Sequence, residues 1–257
     1  MPDTISRPHP TGRYAIAFPD SNAAADQDAE CCDLHGEDGV ERVRFHDYAA
    51  IYRRPGLYEQ LFYEELRCQS PQVVTELLAE QVAAAGVEPS SLRVLDLGAG
   101  NGMVGERLAR LGVGSVTGID LLPEAREAAE RDRPGVYDAY VVGDLTALEA
   151  GAHATLASAS PNCLTTVAAL GFGDVPPAVF AAAFGFVAID GWLAMTIKED
   201  FLDADDGSGF AELVRGAVTD GTIELCAQRT YRHRLAADGS ELFYSALVAR
   251  KRGELAT

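Results

Sequence analysis

The sequence predicts an α/β protein. It reads as a doubly wound, mostly parallel seven-stranded sheet with a C-terminal antiparallel hairpin, preceded by an N-terminal helical cap. Three observations predict it. From Leu92 onward, short apolar runs alternate with helix-like segments, the pattern of a parallel sheet covered on both faces. One run, Val94-Leu95-Asp96-Leu97, ends in the glycine turn Gly98-Ala99-Gly100-Asn101-Gly102 and leads directly into a helix pattern. The last two runs, 222–235 and 241–250, have no helix between them and are joined through Ala-Ala-Asp-Gly, a hairpin signal.

Size and charge narrow the function. A chain of 257 residues and 27.3 kDa holds one large α/β domain with an extension. Such a chain buries roughly 70–75% of its unfolded surface, so it needs no disulfide or metal staple. Lys+Arg total 21 against 39 Asp+Glu, a formal charge of −18. That balance opposes non-specific binding to nucleic acid or to an anionic membrane. No apolar run is long enough to cross a bilayer, and the first residues lack a basic-then-apolar leader pattern. The five cysteines show no Cys-x-x-Cys spacing, and Cys31-Cys32 with His35 lacks a second ligand pair. No metal site is expected, and the thiols read as reduced in a cytoplasmic protein.

The elements follow in order. Residues 1–39 hold eight acidic side chains against Arg7 and Arg13, with four prolines and little apolar periodicity. They read as an acidic, disordered tail that cannot offset its ordering entropy. Residues 40–90 read as a helical cap or lid. Phe45, Tyr48, Tyr52, Tyr58, Phe62 and Tyr63 concentrate there. Pro55-Gly56 precedes one short helix pattern. Ser70-Pro71 opens a second, with Val74, Leu77, Leu78 and Val82 on its apolar stripe and Gly86 at its end. Residues 91–257 read as the sheet domain. Strands are expected at 93–97, 115–120, 139–142, 164–169 and 193–198, and helices at 102–111, 123–131, 176–188 and 210–218.

The glycine turn carries the chemistry. Its glycines let backbone approach a ligand, and the helix start offers unpaired N–H groups. A dinucleotide reader would bring a pyrophosphate to this point, but Asp96 stands immediately before the turn and would repel it. A ligand with a cationic end is not repelled. Asp-Leu-Gly-Ala-Gly-Asn-Gly at 96–102 resembles motif I of the class I S-adenosylmethionine-dependent methyltransferases. The resemblance covers 91–200 and extends to the terminal strand pair. It implies S-adenosyl-L-methionine as cofactor, with Asp96, Gly98, Ala99, Gly100 and Gly102 forming the loop around its methionine end. It further implies that Asp120 and Leu121, after the second strand, meet the ribose. Asp144 and Leu145, after the third, would meet the adenine.

Other roles are less tightly specified. Small-molecule methyltransferases close an N-terminal lid over the methionine end, and by that resemblance Tyr52 is the expected cofactor contact. Tyr48, Tyr58 and Phe172 are expected in the acceptor pocket. His46, Glu199 and His233 are the candidate bases. The chain lacks the Asn/Asp-Pro-Pro-aromatic motif of many amino-group methyltransferases, and its fourth strand does not open with Asp. Together with the negative charge, this favours a small-molecule acceptor for an O, N or C nucleophile, with no nucleic-acid or membrane partner. Two alternatives stand beside it: a regulatory protein that holds the cofactor without transferring methyl, and a nicotinamide-dependent oxidoreductase. The acceptor's identity and the oligomeric state are not readable from the residues.

Overall fold

The computed structural model describes residues 13–24, 27–170, 175–198 and 209–255. A first sheet of three strands joins β1 (Ala15–Ala17), β2 (Cys31–Gly36) and β3 (Gly39–Arg44), all antiparallel. Helices α1 (Tyr48–Tyr52), α2 (Leu57–Glu59, continued by a π-helical turn at Gln60–Glu65) and α3 (Ser70–Ala84) follow. The main unit alternates β4 (Arg93–Leu97), α4 (Met103–Leu111), β5 (Ser115–Asp120), α5 (Pro123–Asp132), β6 (Ala139–Val142), α6 (Ala150–Ala159), β7 (Cys163–Thr166), α7 (Pro177–Phe186), β8 (Trp192–Lys198) and α8 (Phe210–Thr219). It ends in the hairpin β9 (Ile223–Leu235) and β10 (Glu241–Lys251).

The strand order is β6-β5-β4-β7-β8-β10-β9. The first five are mutually parallel, and β10 runs antiparallel to both β8 and β9. From β4 the chain winds outward to β5 and β6, then returns to β7 on the other side. The crevice outside the carboxyl ends of β4 and β7 is therefore the switch point where such sheets bind ligands. Alternation on β4 sorts the core. Leu95 and Leu97 join Phe180, Phe184 and Ile197 beneath α7. Val94 packs with Leu77, Leu78 and Leu108 beneath α3 and α4.

The tail expectation is overturned for residues 13–24 and 27–39. Cys32, Leu34 and Val43 pack with Phe45, Ile51, Leu57 and Leu61 in a separate small core. Glu30, one of the acids read as solvated, is buried and paired with buried Arg234 of β9 at 2.5 Å. Its other oxygen accepts the Ala237 N–H. The segment thus stores its stabilisation in contacts with the far end of the chain. The cap also begins with a strand, β3, rather than a helix. Within the main unit the expected strand 164–169 stops at Thr166, where Ala168 turns to a left-handed φ of +54°.

Candidate functional site

The glycine turn leaves β4 with φ of +70° at Gly98, +54° at Gly100 and +88° at Gly102. These values suit glycine, and two neighbours fix the loop's shape further. A β-carbon on Gly98 would stand 3.0 Å from Ala169 Cβ, and one on Gly100 only 2.6 Å from Tyr52 Oη. The tyrosine of the cap therefore lies directly against the loop. Every backbone group of the turn's centre is held. Gly100 N–H donates to Asp120 Oδ2 at 2.9 Å, and Tyr140 Oη donates to Gly100 O at 2.7 Å. Tyr137 Oη reaches Ala99 O at 3.1 Å.

Asp96 is placed differently from the expectation of direct loop contact. It lies beneath the turn, 1% exposed, and lines neither cavity of the site. In register it faces Thr165 of β7, whose hydroxyl donates to Oδ1 at 2.7 Å, while Tyr137 Oη donates to Oδ2 at 2.8 Å. Burial raises its pKa to about 6, against the lowering effect of those two hydroxyls. Gly102 also stands off the cavities. It caps α4 and sits beside Arg133.

The larger cavity, about 430 Å³, opens over the crevice. Asp120, Leu121, Asp144, Leu145, Gly98 and Ala169 line its floor, and Tyr48, Tyr52 and Tyr58 its ceiling. Among its described lining residues there are two carboxylates and no Lys or Arg. Asp120 accepts the Gly100 N–H on one oxygen and the Leu122 N–H on the other. Asp144 accepts from Thr146 through both N–H and hydroxyl, which lowers its pKa and keeps it ionised. Leu121, 65% exposed, offers an apolar surface beside them. This set fits a nucleoside with a ribose diol and a cationic tail, and would repel a polyphosphate. A smaller chamber of about 70 Å³ continues past the loop, sharing Tyr48, Tyr52, Tyr58, Gly98, Ala168 and Ala169 with the cleft.

The candidate bases separate. His46 lines both cavities, its ring edge-on to Tyr48 at 5.7 Å. His233 lines only the smaller chamber and is 5% exposed. Burial, with the Arg234 charge adding to it, pushes its pKa well below the usual value, so the ring is neutral. Glu199 and Phe172 lie outside the described residues. No cluster of metal-ligating side chains occurs among the described residues. No described helix is long and apolar enough to cross a membrane.

Several site residues carried no signal in the sequence reading. Tyr137 and Tyr140 pin the loop from below. Arg133, 8% exposed on its side chain, bonds Glu59 of the cap at 2.7 Å and Glu106 of α4 at 3.2 Å. Asn101 of the loop also donates to Glu59. Gln27 enters the chamber wall from the N-terminal segment. Only for that segment was there a readable cue. Gly36-Glu37-Asp38-Gly39 is a two-residue hairpin turn between two short runs.

Comparison with known proteins agrees with this geometry. Residues 94–172 match the family described as "Methyltransferase domain". The ubiquinone biosynthesis O-methyltransferase of Xanthomonas axonopodis pv. citri (strain 306) is 42% identical over 76 residues, which is 28% of this chain and 31% of that relative. The chain thus matches about a third of that protein's length. Among solved structures, magnesium protoporphyrin IX methyltransferase of Synechocystis PCC 6803 with bound SAH aligns at a TM-score of 0.51 and 16% identity, over 76% of this chain and 92% of that one. A Thermoplasma acidophilum protein aligns at a TM-score of 0.50 and 16% identity, over 78% and 97% of the two chains. Residues 94–172 are thus similar to a methyltransferase domain, and the chain shares its fold with these solved structures.

Proposed function

We propose, from the premise of that domain, that the protein transfers the methyl group of S-adenosylmethionine to an O, N or C nucleophile of a small molecule. The observation that carries the reading is the cleft itself. A loop of left-handed glycines and two carboxyl groups, with no Lys or Arg among the described lining residues, meet under an aromatic ceiling. When bound, the cofactor supplies an electrophilic methyl carbon on a sulfonium. The chain's residues bind and orient it. Asp120 accepts the ribose hydroxyls, Asp144 and the Leu145 backbone meet the adenine, and Leu121 packs on the ring system. Tyr52, against Gly100, covers the methionine end and excludes water. Alignment of nucleophile and methyl carbon then supplies much of the rate, roughly 7–11 kcal/mol for well-oriented partners. The charge of −18 and the carboxylate-lined cleft favour a small acceptor over a nucleic acid.

Calorimetry with S-adenosylhomocysteine tests the cofactor assignment. Asp120→Ala is expected to weaken binding by roughly 1.5–3 kcal/mol for each charged hydrogen bond lost. Unchanged affinity in the folded variant removes Asp120 from the site. Incubation with S-adenosylmethionine and metabolite pools should give S-adenosylhomocysteine and an acceptor heavier by one methylene. Tight cofactor binding with no product from any pool would favour the regulatory reading.

A further inference from the structure

The smaller chamber differs in chemistry from the cleft it adjoins. Aromatic rings crowd its walls, with Phe45, Tyr58, Phe62, Tyr63 and Tyr244 among them. Four of its titratable groups are neutral. Burial raises the pKa of Cys68, Tyr58 and Tyr63, and His233 is uncharged. Arg234 is the one Lys or Arg on the described wall, and Glu30 pairs with it. Among the described wall residues a carboxylate or phosphate would find no unpaired Lys or Arg, and an ammonium no Asp or Glu. Burying such a charge unpaired is costly.

Gln27 and His233 each present a polar atom to a ligand. Gln27 donates through Nε2 to Tyr244 Oη at 3.1 Å, and its Oε1 is buried with no hydrogen-bond partner among the described residues. A buried carbonyl left unpaired costs free energy until a donor reaches it. His233 stacks on the same Tyr244 ring, centroids 4.0 Å apart. Its Nδ1 is 2.6 Å from Ser70 Oγ, which is 2.5 Å from Tyr231 Oη, and Tyr231 in turn bonds Thr196. Thr196 Oγ1 accepts the N–H of Ala168, the left-handed residue shared by both cavities. Run as Nδ1–H to Ser70, Ser70 to Tyr231 and Tyr231 to Thr196, this chain of bonds leaves the Nε2 lone pair for the chamber.

We propose that the methyl acceptor is an uncharged, planar molecule with at least two X–H groups, one reacting over His233 Nε2 and the other donating to Gln27 Oε1. This rests on the methyl-transfer reading above. In the step, the acceptor's X–H proton goes to His233 Nε2 while the X lone pair forms the bond to the methyl carbon. The S–C bond breaks with its electron pair remaining on sulfur, and the imidazolium returns the proton to solvent when the product leaves. An imidazole this weakly basic suits an acidic hydroxyl, phenolic or enolic, better than an aliphatic alcohol. Benzene occupies an engineered cavity of about 150 Å³. The chamber, about 70 Å³, thus takes only the reacting edge of a ring, whose body lies in the mouth shared with the cleft.

The full chain saturated with S-adenosylhomocysteine provides the test. Catechol, resorcinol, phenol and salicylate are titrated by calorimetry. The better of the two diols is expected to bind at least about fivefold tighter than phenol, one hydrogen bond's worth. Salicylate, which puts a carboxylate in place of a hydroxyl, should bind about tenfold weaker or not at all. Gln27→Leu should abolish the diol-over-phenol preference while leaving S-adenosylhomocysteine affinity unchanged. In ¹⁵N spectra the His233 Nε2 resonance should shift with the diol and not with salicylate. Salicylate binding as tightly as the diols, a preference that survives Gln27→Leu, an unmoved Nε2, or no diol binding overturns the proposal. Failure of S-adenosylhomocysteine to bind would strike the methyl-transfer reading instead.

Discussion

The floor and the ceiling of the cleft are held by different forces. The floor is the turn Gly98–Gly102 and the strand ends beside it. Directional hydrogen bonds with Asp120 and Tyr140 hold its backbone, and both partners belong to strands of the sheet. The ceiling is the aromatic segment of α1 and α2. Its rings meet at 6.1 Å for Tyr48–Tyr52, 5.2 Å for Tyr52–Tyr58 and 4.8 Å for Tyr58–Phe62, at angles from 23° to 51°. Such contacts are worth about 0.5–1.5 kcal/mol each and tolerate sliding. The π-helical turn at Gln60–Glu65 lies in this segment, a feature frequent where helices serve function. The ceiling is tied to the body at two buried ion-pair sites. Glu59 meets Arg133 at one, and Glu30 meets Arg234 at the other. The floor is therefore held by fixed, directional bonds, while the ceiling hangs on two ion-pair attachments, the hinges that any closure would use.

The hinge at Glu30 gives the largest expected effect. Glu30→Ala leaves the Arg234 guanidinium buried without its partner, and Ala237 N–H without its acceptor. A broken buried pair costs about 3–5 kcal/mol. The thermal midpoint should fall by about 10 °C for a chain of this size. Removal of the whole 1–36 segment should cost at least as much, since it takes β1 and β2 with it. An unchanged midpoint in both would make the first sheet an appendage and erase the second hinge.

The floor offers a test of opposite sign. Asp96 is ionised at neutral pH at a cost, because burial raises its pKa to about 6. A carboxyl raised in the folded state stabilises relative to the unfolded chain below its unfolded value of about 3.9. That contribution is lost as pH rises through about 6. Asp96→Asn abolishes the titration, and of the Tyr137 and Thr165 hydroxyls one can go on donating to Oδ1 while the other turns to accept from Nδ2. The stability difference between variant and wild type should therefore move in the variant's favour by about 2.4 kcal/mol from pH 4 to pH 7.5. Urea unfolding without ligand at both pH values measures it. A flat difference would mean that Asp96 is not a buried charge, and that the floor is softer than its hydrogen bonds imply.

The same contrast explains what the residues alone revealed. The floor was legible because its determinants are local. An apolar strand, an acid, a glycine turn and a helix occupy consecutive positions, and Asp120 and Asp144 follow at strand ends. The β9–β10 hairpin carried its own turn. The ceiling's aromatics were visible as a cluster, but not what they hang from. Glu30 and Arg234 are 204 residues apart in sequence, and an isolated acid in an acidic stretch reads as solvated. Tyr137 is another such case, a loop tyrosine whose meaning comes only from Asp96 lying 2.8 Å away. Short strands such as β1 also bury too little by themselves to show a period.

The smallest effect in energy decides whether the ceiling moves at all. If the aromatic segment closes on hinges, saturation with S-adenosylhomocysteine should slow amide exchange both in Gly98–Gly102 and in the Tyr48–Tyr58 segment. The floor is already hydrogen-bonded, so its gain comes from direct contact with the ligand. The ceiling's gain would come from ordering, and about tenfold slower exchange, about 1.4 kcal/mol, is expected there. Arg133→Met cuts the first hinge without touching the tyrosines, because Arg133 bonds Glu59, Glu106 and the Asn101 carbonyl but no aromatic hydroxyl. In that variant the ceiling should lose its ligand-dependent protection while the floor keeps most of its own. Equal protection of both regions in the variant would show that Tyr52's contact with Gly100, rather than the ion pair, couples them. Protection confined to the floor in the wild type would make the aromatic segment a fixed wall, and the acceptor would then have to reach the smaller chamber without its help.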